Sequence, residues 1–190
     1  MKQLINLMRY WVAKFIEPRM IYGYSNSQGV YLKNTRISNM TKIGSKENLI
    51  IGDNVFIGHF NHIDASNGVT IEEGCQITNY VSILTHSSHL SIRLYGKEYR
   101  SHKNHNGYIR GGVHLGKYTF VGPHSIIMPN TRIGKGCIVS AYSFVKGDFP
   151  DFSIIKGNPA EVIGSTKELD EQYLQDNPDL KALYETWSQE

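Results

Sequence analysis

Aliphatic residues recur at every sixth position along much of the chain. One run holds Ile37, Ile43, Ile51, Ile57, Ile63, Ile71, Ile77 and Ile83, with irregular steps after Ile43 and Ile63. A second holds Leu115, Val121, Ile127, Ile133, Val139 and Val145. Glycine often follows directly, as at Gly44, Gly52, Gly58, Gly116, Gly122 and Gly134. Four positions after the aliphatic the residue is small or modest: Val55, Asn61, Cys75, Val81, Thr119, Ser125, Thr131, Cys137, Ser143. A period of six matches neither the 3.6 of a helix nor the 2 of a strand. It suits short strands joined by turns, three to a coil, stacked in parallel around a triangular core. The aliphatics point inward, the small residues fill the interior near the corners, and Gly, Asn and Asp are expected at the turns. The fourteen aliphatic positions make nearly five coils of eighteen residues.

Three segments lie outside this pattern. In residues 1–29, Leu4, Met8, Trp11 and Phe15 form a helical stripe within Met1–Ile16. That helix either packs on its own protein or lies on a membrane surface; Arg9 and Lys14 interrupt it and it is too short to span a bilayer. Residues 86–112 (HSSHLSIRLYGKEYRSHKNHNGYIRGG) are a long insertion into the 30–164 solenoid, and loops of this length are usually functional or disordered. In the tail, 165–190, Lys167–Gln175 and Asp179–Trp187 read as two short helices divided by Asn177-Pro178. They are expected to cap the solenoid end or pack on a neighbour.

Charge changes the picture only locally. A net charge of +3 over 190 residues gives no reason to expect a nucleic-acid partner. The insertion alone carries +4 (Arg93, Lys97, Arg100, Lys103 and Arg110 against Glu98), which favours an anionic ligand. Tyr95, Tyr99 and Tyr108 lie in the same loop. Cys75 and Cys137 both fall on small interior positions and have no second Cys at metal-ligand spacing, so they read as buried free thiols and no metal is expected. A cytoplasmic protein is expected.

Two stretches then carry a family resemblance. Thr85-His86 is followed by Arg93, Gly96, Glu98 and Tyr99. Further on come IGKGCIVSAYSFV (Ile133–Val145) and IKGNPAEVI (Ile155–Ile163). Over roughly Asn34–Gly164 the chain resembles the hexapeptide-repeat O-acetyltransferases, with the maltose and galactoside acetyltransferases and the sugar acetyltransferases of polysaccharide synthesis as its nearest types. The resemblance implies a left-handed parallel β-helix, a homotrimer with the active site between neighbouring solenoids, and acetyl transfer from acetyl-CoA to a saccharide hydroxyl. The acceptor could be anionic, lipid-linked or nucleotide-linked, and an amine of an amino sugar is the alternative acceptor. His86 inherits the general-base role, with His89 its competitor. Removing the proton of a hydroxyl as it attacks a thioester is work a neutral imidazole can do near pH 7, and a backbone or carboxylate acceptor on its other nitrogen would fix the tautomer. Asn61 and Asp64, about one coil earlier with His62, are expected near His86, as are Arg93 and Tyr99, all as acceptor contacts. Phe120, Gly122, Ser140, Ala141 and Pro159 are expected to line the CoA site. Glu161 stands where the family has a cation after Pro-Ala, so Lys146 and Lys156 are expected to meet the phosphates instead. Phe120 replaces a frequent Trp and loses its N–H donor. Two other readings share the repeat: a zinc-holding γ-class carbonic anhydrase, whose pair of histidines four residues apart is missing, and a non-catalytic binding solenoid.

Overall fold

The computed structural model describes residues 2–189; Met1 and Glu190, which end the expected terminal segments, lie outside them. The core is a three-faced solenoid. Successive short strands go to the first, second and third face in turn, and each pairs in parallel with the strand one coil away. The first face stacks Tyr31–Ser38, Phe56–Ile57, Gln76–Ile77, Phe120–Val121, Ile138–Val139 and Ser153–Gly157. The second stacks Lys42–Gly44, His62–Asp64, Ser82–Ile83, Ile126–Ile127 and Phe144–Val145. The third stacks Leu49–Ile51, Val69–Ile71, Val113–Leu115, Thr131–Ile133 and Asp148–Phe149.

The register turns the sixth-position aliphatics into three columns. Ile37, Ile57, Ile77, Val121, Val139 and Ile155 are successive partners on the first face. Ile43, Ile63, Ile83, Ile127 and Val145 stack on the second. Ile51, Ile71, Leu115, Ile133 and Phe149 stack on the third. Nearly all are fully buried, and each such side chain contributes about 1.5–3 kcal/mol by leaving water. The small positions are buried as well. Their hydroxyls bond to carbonyls of the adjoining coil, as Ser125 Oγ does to Ser140 O (3.0 Å) and Thr119 Oγ1 to Gly134 O (2.9 Å). A hydroxyl could not stay in this interior without such a partner.

The corners differ from expectation. Several turns place an aromatic residue, not Gly, Asn or Asp, in the left-handed region. Between the first and second faces these are Phe60, Tyr80, His124 and Tyr142, all with φ near 60°. That conformation costs a non-glycine residue about 1–2 kcal/mol. The rings stack from coil to coil with centroids 5.2, 4.9 and 4.8 Å apart. Such pairs contribute about 0.5–1.5 kcal/mol each, which offsets part of the strain.

Both edges of the first face are covered by antiparallel strands. Met20–Ser25, within the stretch expected to be a linker, pairs with Tyr31–Ser38, and Ala160–Ser165 pairs with Ser153–Gly157. Helix α1 (Lys2–Ile16) buries none of its residues, so it does not pack on its own solenoid. The insertion folds on itself. His86–Ser87 pairs with Ile109–Arg110 at its root, and α2 (Ser91–Tyr95) leads into a 3-10 turn over Gly96–Ser101. The tail forms α3 (Thr166–Asp176), a 3-10 turn at Pro178–Leu180 and α4 (Lys181–Ser188). It does not cap the solenoid end. Trp187 packs against Tyr118 and Phe152 along the corner between the third and first faces, and Lys135 Nζ donates to Ser188 O at 3.0 Å.

Candidate active site

The second-to-third corner brings His86 and Asp64 together. His86 leaves the second face three residues after Ile83, and Asp64 leaves it one residue after Ile63, in the coil before. Stacking the two coils brings His86 Nδ1 to 2.7 Å from Asp64 Oδ2. Asp64 also accepts from Thr85 Oγ1 (2.9 Å), Thr85 N (3.3 Å), Ser66 N (3.1 Å) and Ser66 Oγ (3.2 Å). Partial burial pushes the Asp64 carboxyl up, but these hydrogen bonds from Thr85 and Ser66 outweigh it and bring it down to about 2. An ionised carboxylate can only accept, so Nδ1 of the imidazole is the donor in this contact. The Asp64 side chain is 13% exposed and that of His86 42%, so the carboxylate is shielded and the imidazole is reachable. The His86 ring lies nearly parallel to Tyr108, with centroids 5.7 Å apart, and the Arg110 guanidinium covers Tyr108 at 4.4 Å.

His89 has no such support. Its Nδ1 meets Ser87 Oγ at 2.8 Å and the residue is exposed. The remaining loop rings pack on one another. His105 stacks on Tyr99 at 4.0 Å and bonds to its carbonyl through Nε2 at 2.6 Å, while Tyr95 contacts His102 and His105. Tyr95, Tyr99 and Tyr108 thus take part in the loop's own packing. Arg93 is exposed on α2.

One expected acceptor contact needs correcting. Asn61 is 3% exposed; its Nδ2 donates to Gly58 O and its Oδ1 accepts from Val81 N at 2.7 Å, so it stitches coils together inside the prism. Asp64 spends its oxygens on Ser66, Thr85 and His86. His62 points along the second face beside Lys42 and Ser82. Ser66 and Thr85 as joint donors to Asp64 were missed; their signal was a polar D-A-S one coil before T-H.

The residues expected at the CoA site sit elsewhere on the prism. Phe120 is half-exposed on the first face, between Gln76 and Ile138. Gly122, Ser140 and Ala141 lie at the first-to-second corner, where a Cβ on Gly122 would come within 2.6 Å of Ala141 N. Lys156 stands opposite Glu161 in the last hairpin, and Pro159 lies at its turn. Lys146 alone shares the corner of His86, two coils further on. Within one chain, then, most of these residues lie across the second face from the dyad. Cys75 and Cys137 are buried, and burial pushes the Cys75 thiol up to about 12. Among the described residues no group of three or more His, Cys, Asp or Glu side chains could hold a metal ion.

Comparison with known proteins agrees with the fold. Residues 109–147 match the family model of the bacterial transferase hexapeptide (six repeats), so the chain carries the hexapeptide repeat of that class. Several curated relatives bear the name acetyltransferase. The chain is 30% identical over 119 residues to an Escherichia coli K12 protein bearing the name lipopolysaccharide biosynthesis O-acetyl transferase WbbJ, covering 60% of this chain and 59% of that one. Among solved structures, a maltose O-acetyltransferase from Clostridium difficile superimposes with a TM-score of 0.58 at 22% identity, over 67% of this chain and 64% of that one. AntD, an N-acyltransferase from Bacillus cereus in complex with dTDP and 3-hydroxybutyryl-CoA, does so with a TM-score of 0.55 at 23% identity, over 77% and 89%. At these identities the two structures attest the fold. The chain spans about a third of the length of the curated relatives it matches first, 36% and 31%.

Proposed function

We propose that this protein moves an acetyl group from acetyl-CoA to a hydroxyl of a saccharide, with His86 as the general base and Asp64 as its positioning partner. One observation carries the reading: a reachable imidazole held through Nδ1 by a shielded, ionised carboxylate at 2.7 Å, at the root of the insertion. Nε2 takes the hydroxyl proton as the acceptor oxygen attacks the thioester carbonyl. Asp64 stabilises the imidazolium that forms. The tetrahedral adduct then collapses, the carbon–sulfur bond breaks, and the departing thiolate takes the proton back from Nε2. An acetyl ester and free CoA result.

The placement of the other residues supports a site shared between chains. Phe120, Gly122, Ser140 and Ala141 lie away from the dyad in one solenoid, so a second chain would bring its own set against it. The homotrimer and left-handed winding implied by the resemblance provide that arrangement. The positive charge of the insertion suits an acidic, phosphate-linked or nucleotide-linked saccharide. An amine acceptor is the second reading, favoured by the likeness to the N-acyltransferase AntD.

The test is release of CoA thiol from acetyl-CoA in the presence of neutral, acidic, nucleotide-linked and amino sugars. His86→Ala should lose about 10²–10⁴-fold in turnover, while His89→Ala should stay near the parent. An unimpaired His86→Ala would refute the assignment, and acetylated nitrogen in the product would select the second reading.

A further inference from the structure

Helix α1 is fifteen residues long and none of them is buried. At 3.6 residues per turn, Leu4, Leu7, Met8, Trp11, Val12 and Phe15 share about half of its circumference. Each of the six is more than half exposed, Phe15 reaching 77%. A face of this size is not left to water without a function. Its own solenoid does not cover it.

The charges indicate what does. No acidic residue occurs within α1, and its three cations, Lys2, Arg9 and Lys14, all belong to the other half of the helix. Arg9 and Lys14 flank the two edges of the apolar half, where long cationic side chains can reach headgroup phosphates while their stems stay on apolar surface; Lys14 also lies 4.0 Å from the exposed Glu17 carboxylate, just beyond the helix. Arg19 adds a cation at the C-terminal end, its guanidinium bonded to Lys14 O at 2.6 Å. Tyr10 and Trp11 pack edge to face at 5.8 Å, and aromatics of this kind favour the boundary between water and acyl chain. At about 1.5 Å per residue the helix is too short to cross the hydrocarbon of a bilayer, and no helix of the described residues is long and apolar enough to do so.

We propose that α1 is a peripheral anchor that lies in the plane of an anionic lipid surface, its apolar half sunk below the headgroups. The inference does not depend on the acyl-transfer reading.

Flotation of the full chain with vesicles tests it. The protein should rise with vesicles of phosphatidylcholine mixed with phosphatidylglycerol, and stay in the dense fraction with phosphatidylcholine alone. The double variant Trp11→Glu, Phe15→Glu should stay behind with both. Replacing Lys2, Arg9 and Lys14 by Gln should weaken binding by about fivefold per charge removed, with added salt acting in the same direction. No flotation with the anionic vesicles, or equal flotation of the double variant, overturns the proposal. So does a fall in the solution mass of the assembly on Trp11→Glu, Phe15→Glu, since that outcome makes a second copy of the chain the partner of this face. Thiol release with soluble sugars should be unchanged in all these variants, which separates failure here from failure of the proposed reaction.

Discussion

Two corners of the same prism obey opposite rules. From first to second face every step between column residues is six: Ile37 to Ile43, Ile57 to Ile63, Ile77 to Ile83, Val121 to Ile127, Val139 to Val145. From second to third face the step runs eight, eight, thirty-two, six and four: Ile43 to Ile51, Ile63 to Ile71, Ile83 to Leu115, Ile127 to Ile133, Val145 to Phe149. The invariant corner is zipped by stacked Phe60, Tyr80, His124 and Tyr142. The variable one holds Asp64, Ser66, Thr85 and His86. Histidine occurs at both, but only at the variable corner does the extra backbone bring a carboxylate from the coil before onto the ring.

The sharpest way to break this contrast is to exchange the two histidines' fates. His86→Ala should cost the activity two to four orders of magnitude, whereas His124→Ala should leave thiol release within about twofold and lower only stability. Next come the glycines that follow column residues. A Cβ on Gly122 would meet Ala141 N at 2.6 Å and Val139 O at 2.8 Å, both backbone, while on Gly44 its nearest neighbour would be Ile63 O at 3.9 Å. Gly122→Ala should therefore destabilise by about 3 kcal/mol and Gly44→Ala by less than about 1 kcal/mol, as read by denaturant unfolding. Asp64→Asn should lower kcat by about 10–100-fold with little change in KM for acetyl-CoA, because it disturbs the orientation of the imidazole and not the binding of substrate; an equal rise in KM would argue against a positioning role. Tyr80→Ala removes two stacked neighbours from the invariant corner and should cost about 1–2 kcal/mol without touching turnover. Smallest is an acid effect. The folded Asp64 carboxyl lies below its usual value, so its contribution is complete above about pH 4 and fades as pH falls toward about 2. Acid unfolding of Asp64→Asn should lack that portion of the pH dependence.

The columns were legible because each sixth-position aliphatic needs only its own coil to declare which way it faces. The buried Thr, Ser and Cys positions followed from the same count. His86 was legible through its neighbours in the chain, and Asp64 through counting back one coil. What Asp64 does there was not, because its role depends on which atom of which neighbour it reaches. Asn61 misled for the same reason: its side chain points into the prism and was expected outside it. The aromatic turns were illegible because the stacking that offsets their left-handed backbone joins residues such as Tyr80 and His124, 44 positions apart in sequence. The helical stripe of α1 was plain, but amphipathicity alone does not say what a helix lies against.

The two thiols offer a use unconnected with catalysis. Cys75 Sγ lies 3.1 Å from Gly116 O in a middle coil, and Cys137 Sγ 3.2 Å from Pro150 O nearer the C-terminal end, both walled in at the corner between third and first faces. Neither can meet an alkylating reagent until its coil separates from the next. Mass-resolved labelling of the two sites thus clocks the opening of two different levels of the stack, and would reveal whether the prism unravels from one end or comes apart all at once.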